Sequence, residues 1–420
     1  MDRLVIRGGR RLEGSVQIRG AKNAALPQLA ASLLSAEPLH IGNVPDLLDV
    51  QTMVSLLKEF GVVATPGPGG LLTVDAAAAR STEAPYGIVR RMRATILVLG
   101  PLVARFGAAR VSLPGGCAIG ARPVDLHLKA LSTLGAIVEV EGGYITARTG
   151  PEGLKGGRIV FSSASVGATE TALMAATLAR GETEILNAAR DPEVCDLANC
   201  LIAMGARIEG AGTHRVLVQG IDAPHRAHHD LMPDRIEAGT YAIAAAITGG
   251  HLELLDARLE HLAAVAAALE LAGVQIWPTD RGLMVSRSGP LRAVDVVTEV
   301  YPGFPTDLQA QFMALMAIAP GASLIRETIF ESRFMHVPEL GRLGASISLQ
   351  GTSALVRGVE QLNAADVMAT DLRASVSLVL AALVAQGETT VHRVYHLDRG
   401  YEALDRKLVQ CGADIRRIAA

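Results

Sequence analysis

Aromatic residues are scarce: 7 Phe, 6 Tyr and 1 Trp make up 3% of 420 residues, while half the chain is hydrophobic. A core with so few rings must be built from Ala, Leu, Val and Ile, as expected of α/β architecture. Cysteine is also rare. Cys117, Cys195, Cys200 and Cys411 lie without any CxxC spacing, which argues against a zinc site or a disulfide framework. Three of them fall in helix-like segments and read as packing residues. A basic excess is missing too: 39 Lys and Arg stand against 42 Asp and Glu, a net charge of −3, so nucleic acid is not an expected partner. The longest apolar runs, such as residues 94–104, fall far short of the ~18 residues needed to span a bilayer. Met1-Asp2-Arg3-Leu4-Val5-Ile6-Arg7 shows no signal-peptide apolar region. A soluble, cytoplasmic protein with no membrane partner is expected. The length exceeds one ordinary core and suits two or more domains.

Glycine, by contrast, is abundant where it matters. In Pro114-Gly115-Gly116-Cys117-Ala118-Ile119-Gly120-Ala121-Arg122-Pro123, three glycines and a proline at each end specify a loop. It holds one thiol, five residues ahead of an arginine. A cationic, glycine-flanked setting lowers a thiol's pKa and exposes it to reaction. The other reading is a small buried hydrophobe, the commoner fate of a free cysteine.

One punctuation recurs six times, a helical pattern ending at glycine before a short strand-like run. It stands at Gly61, Gly135, Gly205, Gly273, Gly344 and Gly412, at intervals of 68 to 74 residues. Glycine at C′ ends a helix in the left-handed conformation, and a strand follows. A second helix signature lies midway in each unit, over residues 22–34, 91–102, 166–178, 235–247, 306–316 and 370–383. Short strands follow it at 39–41, 109–113, 183–186, 252–255, 322–325 and 389–392. Each unit of roughly 70 residues thus carries two helices and about four strands. Segments as uniformly apolar as 241–247 must be buried, so sheets are expected to enclose helices. The units split three and three at Ala223-Pro224-His225-Arg226-Ala227-His228-His229-Asp230-Leu231-Met232-Pro233. Its three histidines lack spaced carboxylate or cysteine co-ligands, so a linker is expected rather than a metal site. The first strand, residues 4–18, is expected to complete the last unit's sheet. One domain then spans 22–232, and the other, discontinuous, 1–21 with 233–420.

Cations recur at the starts of the buried helices or in adjacent loops: Lys22, Arg93, Arg122, Arg373 and Arg399. Free N–H groups and the positive dipole end make such places anion sites, and several together imply a polyanionic ligand. Asp307, after the Phe304-Pro305 turn, reads equally as a catalytic base or as an ordinary first-turn helix acid.

With these pieces in place the sequence resembles the enolpyruvyl transferases. The likeness runs from Gly20-Ala21-Lys22-Asn23-Ala24 through Pro114-Gly115-Gly116-Cys117, Phe304-Pro305-Thr306-Asp307 and Arg333-Phe334-Met335-His336-Val337-Pro338-Glu339 to Asp398-Arg399-Gly400-Tyr401. The family's fold implies two inside-out α/β barrel domains, each of three repeats around buried helices. Its activity implies transfer of enolpyruvyl from phosphoenolpyruvate to UDP-N-acetylglucosamine, with no metal or organic cofactor; a monomer is expected. By the same likeness Cys117 is the general acid and Asp307 the base near the acceptor hydroxyl, while Asp371 takes part in the later proton removal. Lys22, Arg122 and Arg399 hold phosphoenolpyruvate, with Arg373 nearby, and Asn23 and Arg93 fall on binding positions. Arg122, Pro123, Val124, Asp125, Leu126, Ser165, Val166, Gly167 and Ile329 hold the nucleotide sugar. Two positions depart from the family's pattern: Ser163 replaces a lysine that faces the diphosphate, and Asp191 replaces a glutamate. Another uridine nucleotide as acceptor is the alternative these departures raise. The shikimate-pathway relatives lack the Pro-Gly-Gly-Cys loop.

Overall fold

The computed structural model describes residues 2–114 and 123–419. Among these the strands form six four-stranded sheets of one design. In the third, Arg158–Val160 runs parallel to Glu182–Leu186, which pairs antiparallel with Arg215–Gln219, itself paired with Arg207–Glu209. Parallel neighbours need a crossover, and a helix supplies it. Six central helices are present: α1 (Lys22–Ala31), α2 (Leu99–Phe106), α3 (Val166–Thr177), α4 (Arg235–Thr248), α5 (Gln309–Met316) and α6 (Ser375–Ala382); α2, α3, α5 and α6 make the crossover in the second, third, fifth and sixth sheets. All fourteen residues of α4 are buried, as are all eight of α5 and of α6. Strands such as Glu182–Leu186 alternate exposed and buried residues, so one sheet face covers helices and the other meets water.

The glycines that mark the repeat act as expected. Gly61, Gly135, Gly205, Gly273, Gly344 and Gly412 all have φ between 91° and 101°, where a Cβ would be strained.

Two expectations need correction. Residues 4–18 are not one strand of the last sheet. Arg3–Arg7 lies between Glu388–His392 and Asp414–Ile418 in that sheet, but Glu13–Gln17 pairs parallel with His251–Leu255 in the fourth. The interruption falls at Gly8, Gly9 and the two arginines after them, a run with no period-2 pattern. Nor is 223–233 only a linker. Ala227–Asp230 pairs parallel with Leu39–Gly42 as an edge strand of the first sheet. Its polarity hid it, because an edge strand can present His228 and Asp230 to water while Ala227 is buried and His229 Nε2 sits 3.0 Å from Asp196 Oδ1. The first and fourth sheets therefore take their outer parallel strand from a distant part of the chain.

The chain divides into two compact units, one of residues 2–19 and 233–419, the other of 20–114 and 123–232. Each has its own hydrophobic core around three central helices.

Candidate active site

In the 20–232 unit, Lys22 is the first residue of α1 and only 6% exposed. Its Nζ lies 3.2 Å from Asp49 Oδ2, a buried pair whose partners each offset the other's loss of water. Asn23 follows, half-buried. Arg93 opens the 3₁₀ segment Arg93–Val98 that leads into α2. Ser165 caps α3, its Oγ accepting the Ala168 N–H at 3.4 Å. Val166 stands exposed beside it, and Gly167 abuts His127: a Cβ there would lie 3.0 Å from His127 Cε1. His127 is held by Thr171 Oγ1, 2.8 Å from Nδ1. Pro123, Val124, Asp125 and Leu126 form the approach and first turn of helix Asp125–Thr133. No acidic residue occupies the first turn of α1, of the 93–98 segment or of α3. Asp191 stands at the N-cap of Pro192–Ala203. Its charge and that of Glu193, after burial itself, push the Glu170 carboxyl well above the usual range.

The other unit reverses this pattern, with an aspartate at the start of each central helix. Asp234 caps α4 by accepting Ile236 and Glu237 N–H groups at 2.8 and 3.0 Å. Asp307 lies in the 3₁₀ turn Thr306–Leu308 before α5. Asp371 Oδ1 accepts the N–H groups of Arg373 and Ala374, both at 2.8 Å, ahead of α6. The segment 370–374 was expected to be helix; Asp371 bonding its own backbone makes it a turn instead. Arg373, 3% exposed, joins these elements: Nε is 3.4 Å from Asp307 Oδ2, Nη2 is 3.9 Å from Asp234 Oδ2, and Nη1 donates to Gly400 O at 3.3 Å. The guanidinium also lies 5.5 Å from the centre of the Tyr401 ring. Burial works against its charge, but Asp234, Tyr401 and Asp307 outweigh that and raise its pKa. Nε and Nη2 face the Asp307 and Asp234 carboxylates at ion-pair distance without a hydrogen bond of good geometry to either among the described residues. Asp307 is gripped from its other side by Arg333, whose Nη2 donates to Oδ1 at 2.7 Å. Arg399 follows the short helix Tyr395–Asp398, and with burial its charge keeps His396 below the usual histidine range.

His336 is fully buried with neither ring nitrogen hydrogen-bonded among the described residues. Burial lowers its pKa to about 4, with Asp371 opposing and Arg333 reinforcing that shift. The folded protein thus holds it neutral, while the unfolded chain binds a proton below ~6.5. Its contribution to stability is complete above pH ~6.5 and is lost as pH falls towards 4. The urea midpoint should drop between pH 7 and 5, and less steeply in His336→Asn; equal slopes for both proteins would exclude this role.

The structure therefore brings Asp307, Arg373 and the turn at Asp371 together, and sets Lys22, Arg93 and Ser165 each at a helix start. Cys117 and Arg122 lie outside the described residues. Sequence reasoning missed Asp49, Asp234, Arg333 and Tyr401 as partners in these clusters, because no local spacing links them to the residues they touch. No group of side chains suited to hold a metal ion occurs among the described residues, and no helix is long and apolar enough to cross a membrane.

Known proteins match this arrangement throughout its length. The family model described as EPSP synthase (3-phosphoshikimate 1-carboxyvinyltransferase) matches residues 6–408. UDP-N-acetylglucosamine 1-carboxyvinyltransferase 2 of Mesorhizobium japonicum is 69% identical over 420 residues, all of both chains. The UDP-N-acetylglucosamine 1-carboxyvinyltransferase of Gluconacetobacter diazotrophicus is 60% identical, again over all of both chains. Among solved structures, the enolpyruvyl transferase NikO from Streptomyces tendae superposes with a TM-score of 0.88 at 29% identity, covering 100% of this chain and 99% of that one. Six repeated sheets about buried helices, cations and aspartates at the helix starts, and these full-length likenesses together make the chain a member of the EPSP synthase family of enolpyruvyl transferases.

Proposed function

We propose that the protein transfers the enolpyruvyl group of phosphoenolpyruvate to the 3-hydroxyl of UDP-N-acetylglucosamine and releases phosphate, the first committed step of peptidoglycan synthesis. The observation that carries the reading is the cluster in which buried Arg373 stands between Asp307 and Asp234 at the starts of the central helices, a cation held beside the carboxylate assigned as base. The full-length relatives named for this acceptor support it. Cys117 gives its proton to the methylene carbon of phosphoenolpyruvate as the acceptor oxygen bonds to the neighbouring carbon and Asp307 receives the hydroxyl proton. The resulting adduct loses phosphate when a proton leaves the new methyl group, a step assigned to the side of Asp371. Lys22, Arg122, Arg373 and Arg399 bind the phosphate and carboxylate; Asn23 and Arg93 bind alongside. Residues 122–126, 165–167 and Ile329 hold the nucleotide. The reading comprises domains 22–232 and 1–21 with 233–420, and a monomer working in the cytoplasm without metal or organic cofactor.

Phosphate release measured with phosphoenolpyruvate and a panel of acceptors tests it: turnover should be greatest with UDP-N-acetylglucosamine, and a preference for 3-phosphoshikimate or another uridine nucleotide would overturn it. Arg399→Lys keeps the charge but loses the planar fork. It should weaken phosphoenolpyruvate binding about tenfold, one lost two-pronged contact, with little change for the nucleotide sugar. Equal losses for both ligands in titration calorimetry would refute the assignment. Ser163 is exposed on the approach to α3. Ser163→Lys should tighten the diphosphate-bearing acceptor by at most about 1.5–3 kcal/mol, and by less where water reaches it. No gain would mean that another donor already serves the diphosphate.

A further inference from the structure

Glu327 is a deeply buried carboxylate that no role above uses. It follows strand Ala322–Arg326, is 1% exposed, and accepts four hydrogen bonds, all from uncharged donors. Oε1 accepts the hydroxyl of Thr298 at 2.9 Å and the N–H groups of Ile329 and Phe330 at 2.8 and 3.0 Å. Oε2 accepts the hydroxyl of Thr306 at 2.8 Å. Burying a carboxylate without a cation is costly, and four hydrogen bonds offset that cost only while all are made. What they join is informative. Ile329 belongs to the segment assigned to the nucleotide, and Thr306 precedes Asp307. Arg333 divides its fork between the same two residues, with Nη1 on Thr306 Oγ1 at 2.9 Å and Nη2 on Asp307 Oδ1 at 2.7 Å. Thr306 can donate its single proton to Glu327 and still accept from Arg333, so the carboxylate sets the hydroxyl's direction and the hydroxyl seats one prong of the guanidinium.

We propose that Glu327 is a positioning residue for enolpyruvyl transfer: one oxygen fixes the Ile329 segment, the other fixes Thr306 and through it the Arg333–Asp307 pair, so that nucleotide and acceptor hydroxyl are held in one register. This rests on the assignment of Ile329 and Asp307 to the acceptor. An amide in place of the carboxylate would keep the volume but reverse one hydrogen bond. Its Nε2 would donate to Thr306 Oγ1, which already accepts from Arg333, and the threonine proton would be left without its acceptor.

The test is steady-state kinetics and melting temperature for Glu327→Gln, Thr306→Val, the double variant and Asp307→Asn. Misplacing a reacting group by about 1 Å costs up to about a hundredfold, so Glu327→Gln should lower kcat about ten- to a hundredfold and raise KM for UDP-N-acetylglucosamine, with KM for phosphoenolpyruvate nearly unchanged. Because the two side chains act through one hydrogen bond, the double variant should be little worse than Thr306→Val alone. A Glu327→Gln protein that melts lower yet keeps kcat and both KM values would overturn the proposal, as would losses that add in full. Should Glu327→Gln not fold, Thr306→Val alone carries the test, and wild-type kinetics from it would equally overturn the proposal. Full activity in Asp307→Asn would instead remove the assignment on which the proposal rests, a distinct failure.

Discussion

Cys117→Ser should abolish nearly all turnover and all covalent labelling by fosfomycin, an epoxide that mimics phosphoenolpyruvate. Protonating a vinyl carbon needs a group that keeps its proton at working pH yet gives it up readily. A thiol with an ordinary pKa of ~8.5 does so, and its thiolate is accessible at working pH. Serine offers neither an acidic proton nor a good nucleophile, and general acid catalysis is worth about 10²–10⁴-fold in rate. Alkylation opens the epoxide by attack of the thiolate, so the protein gains the whole mass of the reagent. The other thiols are poor competitors. Cys200 and Cys411 are buried, and burial, aided at Cys195 by Asp191 and Glu193, pushes all three up. Intact mass spectrometry should therefore show one adduct on the unaltered protein and none on Cys117→Ser. Cys117→Asp supplies an acid that can still donate if the occupied site raises its pKa, so partial activity with an optimum at lower pH is expected. An unlabelled native protein, or a fully active serine variant, would remove Cys117 as the acid.

The repeat was legible because its marker is a backbone requirement. A residue held at φ near 95° must be glycine or be strained, so six helix ends leave six glycines at even spacing. The buried helices were legible for a similar reason, since enclosure on every side demands apolar residues on every side. Strands taken from distant chain segments left weaker signals. Ala227–Asp230 owes its place to Leu39–Gly42, and Glu13–Gln17 to His251–Leu255, neither being neighbours in sequence. The candidate site shows the same division. Lys22, Asp307 and Arg373 stand at helix starts, which a sequence displays; Asp234, Arg333 and Glu327 matter through side chains tens of residues away, which it does not.

Among these partners Arg373 should show the largest combined effect on stability and activity. Its guanidinium is 3% exposed and faces two carboxylates, a carbonyl oxygen and the Tyr401 ring. Arg373→Met fills much of the volume and leaves Asp234 and Asp307 short of a counter-charge. Removing one partner of a buried ion pair costs about 3–5 kcal/mol. Here the lower end applies, because Asp234 keeps its two backbone donors and Asp307 keeps Arg333. For a unit of this size about 3 kcal/mol corresponds to a fall in Tm of roughly 6–12 °C. Arg373→Lys separates structure from function. An ammonium restores the counter-charge and should recover much of the Tm, but it cannot reach Gly400 O while presenting two parallel donors to a phosphate or carboxylate. Turnover of Arg373→Lys at limiting phosphoenolpyruvate should then stay at least about tenfold low although the fold is restored, the expected loss of a charge-assisted two-pronged contact. Calorimetric melting alongside kcat/KM for phosphoenolpyruvate decides the matter: a lysine variant that regains both stability and activity would make Arg373 a structural counter-ion and remove it from the anion site.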